Sequence, residues 1–306
     1  MRRRGDDANM ARMDLTLLGT GCPQVDTRRF GPANLVRHGA LAFLVDCGSG
    51  TTQRLLGAGS KGAAIDAVFL THLHSDHIVD LYQLVVSSWH QGRDRPQRIF
   101  GPPGTRRYVD GLMALWKPEL DLRIAHERRP STAALDVQVV EYSPGEVWRE
   151  GGVTVRAVEV RHQPVRFAYG FVFEADGRRL AFSGDTAYSP ELIAAARGAH
   201  VLVHECFIHR EMPIVAGKRS AETVAAVASY HTLSHEVGKV AREAEARCLV
   251  LNHFVPVRFD RDALLAEVSR DYAGPIVIGE DLMRLDVATG ALTHADGVVG
   301  LGALVP

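Results

Sequence analysis

Cysteine is scarce and unpaired: Cys22, Cys47, Cys206 and Cys248 are the four in 306 residues, and no CxxC occurs. A disulfide framework is therefore excluded, as is a zinc cluster built on close thiolate pairs. Reduced thiols in a cytoplasmic protein fit this usage. Cys47, Cys206 and Cys248 lie in or at the end of apolar runs, where a thiol behaves as a small buried hydrophobe. Cys22, in the turn Gly19-Thr20-Gly21-Cys22-Pro23, is the one placed to neighbour a site. No apolar run is long enough to span a membrane, and none follows the basic start Met1-Arg2-Arg3-Arg4, so no signal peptide is read there. Residues 1–12 are expected to be a disordered leader, with a single domain over 13–306. Charge of one sign is also missing. Thirty-five basic residues against 36 acidic leave a net charge of −1, so composition gives no global electrostatic case for a nucleic-acid partner.

What is present is a concentrated string of ligand-type side chains. Ala67–Asp80 reads AVFLTHLHSDHIVD. Val68-Phe69-Leu70 has the length and composition of a buried strand, and helical spacing resumes at Ile78. His72, His74, Asp76 and His77 thus occupy a strand-to-helix turn. His72 and His74, two apart, point the same way from an extended segment. Asp76 and His77 open the following helix and can face a second centre. Imidazole and carboxylate together are donors that zinc, manganese or iron accept.

Three further residues share one local form, a buried strand releasing a donor into a loop. His162 follows Val153–Val160, Asp185 follows Phe182-Ser183-Gly184, and His253 ends Leu249-Val250-Leu251-Asn252. Elsewhere, strands are expected at 14–18, 33–37, 42–46, 97–100, 137–141, 169–174, 179–182, 201–204, 276–278 and 282–287. Helices are expected through 56 and at 78–89, 106–115, 190–196, 221–229, 236–246 and 261–268. Residues 118–132 lack periodicity and read as loop. Strand-rich halves separated by helices point to two sheets with helices on their outer faces. The apolar, glycine-rich tail 297–306 packs either on the domain or at a subunit contact.

At this point the chain resembles the metallo-β-lactamase superfamily, from about Leu15 to Val287. HLHSDH followed by His162, Asp185 and His253 matches that family's di-metal pattern. LGTGCPQ, FLVDCGSGT, FSGDT, VHECF, YHTLSHEVGKVA and LVLNHF look like the branch that holds tRNase Z and the zinc-dependent arylsulfatases. The resemblance implies an α/β fold, the αββα sandwich of two mixed sheets flanked by helices. It implies two zinc ions, with manganese or iron as alternatives. His72, His74 and His162 would hold one, Asp76, His77 and His253 the other, and Asp185 would bridge. A hydroxide shared by the metals would be the nucleophile, oriented by Asp76. Glu205 and His231 match the pair that stabilises and protonates the leaving oxygen.

Many tRNase Z proteins insert an arm between the third metal histidine and the GDT aspartate. Here 170–179 reads as a tight hairpin running straight into FSGDT. With the charge near zero, this disfavours nucleic acid and leaves tRNA 3′ processing as an alternative. The expectation is a metal-dependent hydrolase of a small ester: aryl sulfate, phosphodiester or a related phosphate ester. A lactonase and a non-catalytic metal-binding protein are further alternatives, and a homodimer is compatible with the resemblance. Phe30, Trp89, Trp116, Phe167 and Tyr188 are candidates to line an apolar pocket. The sequence leaves open the role of His235.

Overall fold

Runs of alternating or continuous apolar residues become sixteen strands among the described residues, which in this computed structural model are 12–295, 297–302 and 304. The first half supplies β1 (Met13–Gly19), β2 (Ala33–His38), β3 (Leu41–Val45), β4 (Ala67–Phe69), β5 (Gln97–Gly101) and β6 (Val137–Glu141). The second supplies β7 (Gly145–Glu150), β8 (Val153–Glu159), β9 (Tyr169–Ala175), β10 (Arg178–Phe182), β11 (Val201–Phe207), β12 (Leu249–Val255) and β13 (Ile276–Ile278). The chain then returns to the first sheet as β14 (Arg284–Asp286), β15 (Ala291–His294) and β16 (Gly297–Gly300). One sheet has the order β16-β15-β14-β1-β2-β3-β4-β5-β6, the other β13-β12-β11-β10-β9-β8-β7. Both are mixed, since β3 to β6 and β10 to β13 pair in parallel while the remaining neighbours are antiparallel.

The sheets face each other across an aromatic core in which Phe43, Phe69, Phe171, Phe173 and Trp148 interlock with ring centroids 5.3–6.1 Å apart. Helices α1 (Thr51–Gly57), α2 (Ser75–Ile78), α3 (Leu81–His90) and α4 (Thr105–Glu127) belong to the first half. There Leu55, Leu81 and Leu84 bury the outer residues Leu44 and Val68 of the first sheet. Helices α5 (Pro190–Ala195), α6 (Ala221–Ala228), α7 (Ser234–Glu243) and α8 (Arg261–Val268) follow. Ile193, Val237, Val240 and Leu264 cover Leu202 and Leu249 of the second sheet. Central strands such as β11 are therefore buried on both faces, which is why they read as unbroken apolar runs. This is the expected αββα arrangement.

Three local expectations change. Residues 118–127 are not loop: α4 continues through Pro118 to Glu127. The missing N–H is offset by burial of Leu120 against Trp89 and Ala134 and by i,i+4 ion pairs Lys117–Asp121 and Arg123 with both Glu119 and Glu127. β7 was not anticipated, and neither was the β15–β16 hairpin. The tail packs on the domain in part, with Leu304 in the inter-sheet core and its carbonyl accepting from Arg247 Nη1 at 2.9 Å. The expected leader lies, up to residue 11, outside the described residues.

Candidate metal centre

Parallel strands leave their C-terminal ends on one edge of a sheet, and here both sheets release their ligand-type residues toward the same cleft. β4 ends at Phe69, and the turn after it carries His72 and His74 into α2, which holds Asp76 and His77. His162 follows β8 and Asp185 follows β10, while His253 lies within β12. The two sheets are stitched at this point by Tyr169 N–H donating to Thr71 O at 3.0 Å. Two glycines permit the close approach. A Cβ on Gly48 would stand 2.4 Å from the Asp76 carbonyl, and Gly184, at φ 58°, would put one 2.5 Å from the Tyr169 carbonyl. His253 is the extra residue of a β-bulge. Glu205 pairs with Asn252 and Cys206 with Phe254, so His253 is squeezed out at φ 42° and turned into the cleft.

All seven predicted donors come together. His72, His74, His162 and Asp185 offer atoms within 4.8 Å of one another, and so do Asp76, His77 and His253. Asp185 Oδ2 is central to both groups. It lies 3.4 Å from His77 Nε2 and from His253 Nε2, and 3.9 Å from His72 Nε2 and from His162 Nε2. Asp76 Oδ2 stands 3.3 Å from His253 Nε2 and 3.6 Å from His77 Nε2.

The outer hydrogen bonds fix which ring nitrogens are free. His162 Nδ1 is 2.9 Å from the Tyr230 carbonyl, which only accepts, so Nδ1 carries the proton and Nε2 the lone pair. His77 Nδ1 donates to Asp46 Oδ2 at 2.8 Å. Asp46 also accepts from Thr71 N–H at 2.8 Å and from the Thr71 hydroxyl, whose oxygen lies 3.0 Å from His72 Nδ1. His72 Nε2 and His77 Nε2 are buried without a hydrogen-bond partner. Buried lone pairs converging on carboxylates without donors of their own are what a divalent cation satisfies, so the residues fit a metal.

Burial and the carboxylates pull the rings in opposite directions: His72 is held down, while His77 and His253 are drawn toward the protonated form that a cation would displace. Burial holds His72 well below its usual value, reinforced by the neighbouring His77. Burial opposes charge on Asp185 too, but His253, His77 and His72 outweigh it and keep the carboxylate ionised. For His253 burial is likewise overcome, by Asp185 and Asp76, and its pKa rises to about 9.

Beside the donors, His231 Nδ1 lies 2.8 and 2.9 Å from the two Glu205 oxygens. Glu205 Oε1 also accepts from Thr186 N–H at 2.8 Å, which anchors the pair. Burial lowers the basicity of His231, yet the Glu205 carboxylate raises it more, and the net shift is upward. His231 opens on a cavity of about 370 Å³ that reaches His74, Asp76, Asp185 and His253. Its far wall comes from the segment before α7: Met212, Arg219, Val227 and Tyr230. Cys22 lines it as a thiol whose pKa burial pushes up to about 11.

The aromatic candidates do not line this cavity. Trp89 is packed under α4, Trp116 stacks on Tyr82, and Phe30 lies beneath the Arg54 guanidinium. Phe167 packs on the inter-sheet core and Tyr188 hydrogen-bonds Glu243. His235 is exposed beside His209 and does not line the cavity. Asp46 went unassigned in the sequence, although Val45-Asp46-Cys47-Gly48 has the same strand-to-glycine-turn form as the Asp185 segment.

Residues 13–217, more than half of the chain, match the family model described as "Anti-Pycsar protein Apyc1". Ribonuclease Z of Mycobacterium marinum is 36% identical over 280 residues, covering 90% of this chain and 99% of that one. The chain belongs to that family, in the ribonuclease Z branch of the metallo-β-lactamase superfamily. Ribonuclease Z of Mycobacterium sp. (strain KMS) is 37% identical over 289 residues, 93% of this chain and all of its own length. Among solved structures, the metallo-β-lactamase fold protein YhfI from Bacillus subtilis superposes with TM-score 0.70 at 21% identity, covering 90% of this chain and 99% of its own. Human tRNase Z, short form, gives 0.68 at 21% identity with the same coverage. As a member of this branch, the chain is a metal-dependent hydrolase acting on ester bonds. Relatives named for ribonuclease activity run against the expectation that nucleic acid is disfavoured, and none of these names supports an aryl sulfate. Among the described residues no helix is long and apolar enough to cross a membrane.

Proposed function

We propose that this chain is a dinuclear phosphodiesterase that releases the 3′ trailer of precursor tRNA. In this reading His72, His74 and His162 would hold one divalent cation and Asp76, His77 and His253 the other, with Asp185 shared between the two groups and zinc the expected metal. The observation that carries it is the 36% identity to a ribonuclease Z across 99% of that relative's length. Relatives of that name align almost end to end within this chain, so the short β9–β10 turn does not set it apart from them.

Two such cations, when bound, would acidify a water and polarise a phosphoryl oxygen. The chain's own groups do the rest. Asp76 orients the attacking water from the cavity floor. His231, held in place and kept protonated by Glu205, gives its Nε2 proton to the departing oxygen. An RNA 3′ oxygen is a poor leaving group, and a positioned acid contributes about 10²–10⁴-fold to such a step.

A second reading, a small phosphodiester, is favoured by the 370 Å³ cavity under the Met212–Tyr230 segment, which suits one nucleotide-sized group. One panel on metal-loaded protein separates the readings: precursor tRNA with a labelled trailer, bis(p-nitrophenyl) phosphate, p-nitrophenyl sulfate and a lactone. Trailer release with the highest kcat/KM is expected. Turnover of bis(p-nitrophenyl) phosphate without trailer release favours the second reading, and sulfate or lactone turnover alone overturns both. Replacing Asp185→Ala is expected to abolish whichever activity appears; undiminished turnover would refute the bridging role.

A further inference from the structure

A second depression, of about 540 Å³, adjoins the metal cavity and is lined by arginines. The two are lined by consecutive segments of the same two loops. Residues 22–24 and 255–256 face the metal cavity, while 27–29 and 257–259 face the depression. Five guanidinium groups reach it, and their partners divide them. Arg54 pairs with Asp281 at 3.4 Å and Arg261 pairs with Glu280, so both are neutralised locally.

Arg28, Arg29 and Arg258 are different. Arg29 is half-buried and held by neutral groups: Nη1 donates to Thr20 Oγ1 and to the Gly279 carbonyl, each at 2.7 Å. Its guanidinium carbon sits 4.5 Å from the centroid of Phe254, the residue after His253, and 5.4 Å from that of Phe259. Among the described residues no carboxylate lies within ion-pair distance of Arg29. Arg28 and Arg258, with side chains 78% and 77% exposed, share one carboxylate, Asp26, at 3.8 and 3.1 Å. Five guanidiniums thus face three carboxylates, Asp26, Glu280 and Asp281, the last two close enough to act on Arg29 as well, and an excess of two cations remains in a chain whose net charge is −1. Only Nη1 of Arg29 is used by these acceptors, and a guanidinium presents its donors in a planar fork that matches a phosphate.

We propose that Arg28, Arg29 and Arg258 form a subsite for a backbone phosphate of the RNA, next along the strand from the group cut at the metals. This rests on the phosphodiesterase reading above and names what the chain uses to grip a polyanion. Each phosphate neutralised contributes a slope of about −0.7 to −0.9 in log affinity against log salt.

The test is the double variant Arg28→Ala with Arg258→Ala, both exposed positions, in two assays. On precursor tRNA, kcat/KM is expected to fall about tenfold relative to that on bis(p-nitrophenyl) phosphate, which has no second phosphate. In filter binding to mature tRNA, the salt slope is expected to shrink by about 0.7–0.9, the contribution of the one phosphate held there. An unchanged salt slope overturns the subsite, whatever the cleavage result. A reduced slope with no cleavage of precursor tRNA by the wild-type protein upholds the subsite and overturns the trailer-releasing reading.

Discussion

At the residue scale, the donors were legible because their segments follow an apolar run, although His253 lies inside β12 and Asp76 and His77 in α2. A strand end is written locally, as an apolar run followed by glycine or a polar break, and a histidine or aspartate there stands out. Asp46 obeys the same rule but lacks a histidine string beside it, and its work is done on another residue. It clamps His77 Nδ1 and Thr71, so it acts as a positioning residue. Loss of such a partner weakens metal affinity about 10–100-fold. Asp46→Asn is therefore expected to lower zinc affinity by that factor in chelator competition, with kcat largely recovered at saturating metal; equal affinities would remove Asp46 from the site. Glu205 is tested by leaving group instead. Glu205→Gln keeps an acceptor for Thr186 N–H but removes the charge that holds the His231 proton. Its cost is expected to be about 10²-fold or more on an RNA or alkyl phosphodiester and under about tenfold on a nitrophenyl ester, whose phenoxide needs no acid. Equal losses on both would mean that the pair does not protonate the leaving oxygen.

Elements were legible where the pattern was local and were missed where packing overrode it. Pro118 reads as a helix stop, yet α4 runs past it because Leu120 and three exposed ion pairs favour continuation over fraying. The bulge in β12 is invisible in LVLNHF, since it exists only in register with β11. The junction of β10 and β11 offers a separate pH handle. His200 N–H donates to the Arg179 carbonyl at 2.9 Å, and Arg179 N–H donates back to His200 Nδ1 at 3.1 Å. Burial, with Arg247, Arg178 and Arg179 nearby, lowers its pKa to about 4. The folded ring is therefore neutral down to about pH 4, while the unfolded one protonates near 6.5. Between those values the unfolded state binds more protons, so stability falls as pH drops, by at most about 1.4 kcal/mol per unit and less with solvent screening. His200→Asn keeps an acceptor for Arg179 N–H and has no such titration. Its melting temperature relative to wild type should rise as pH falls from 6.5 to 4; a constant difference would show that His200 does not titrate across folding.

At the scale of the whole molecule, the centre is a cross-link between sheets. Its donors come from the β4 turn and α2 on one side and from β8, β10 and β12 on the other, joined at Asp185. Composition conceals this, just as a net charge of −1 conceals the arginine depression, whose members lie some 230 residues apart. The inter-sheet core does not depend on the cation, and direct bonds such as Asn252 Nδ2 to Asn34 Oδ1 at 3.1 Å span the layers without it. Chelation is thus expected to leave the far-UV spectrum at 25 °C intact. It should nonetheless lower the melting temperature, because a ligand that binds only the folded state stabilises it by about 4 kcal/mol at a thousandfold its Kd. At about 2–4 °C per kcal/mol, that predicts a fall of about 10 °C for one tightly held cation. Asp185→Ala removes the carboxylate shared by both donor groups, so the metal-dependent part of the shift should shrink to less than half. Equal melting temperatures with and without chelator, at zinc concentrations that support turnover, would show that the cations do not tie the two layers together.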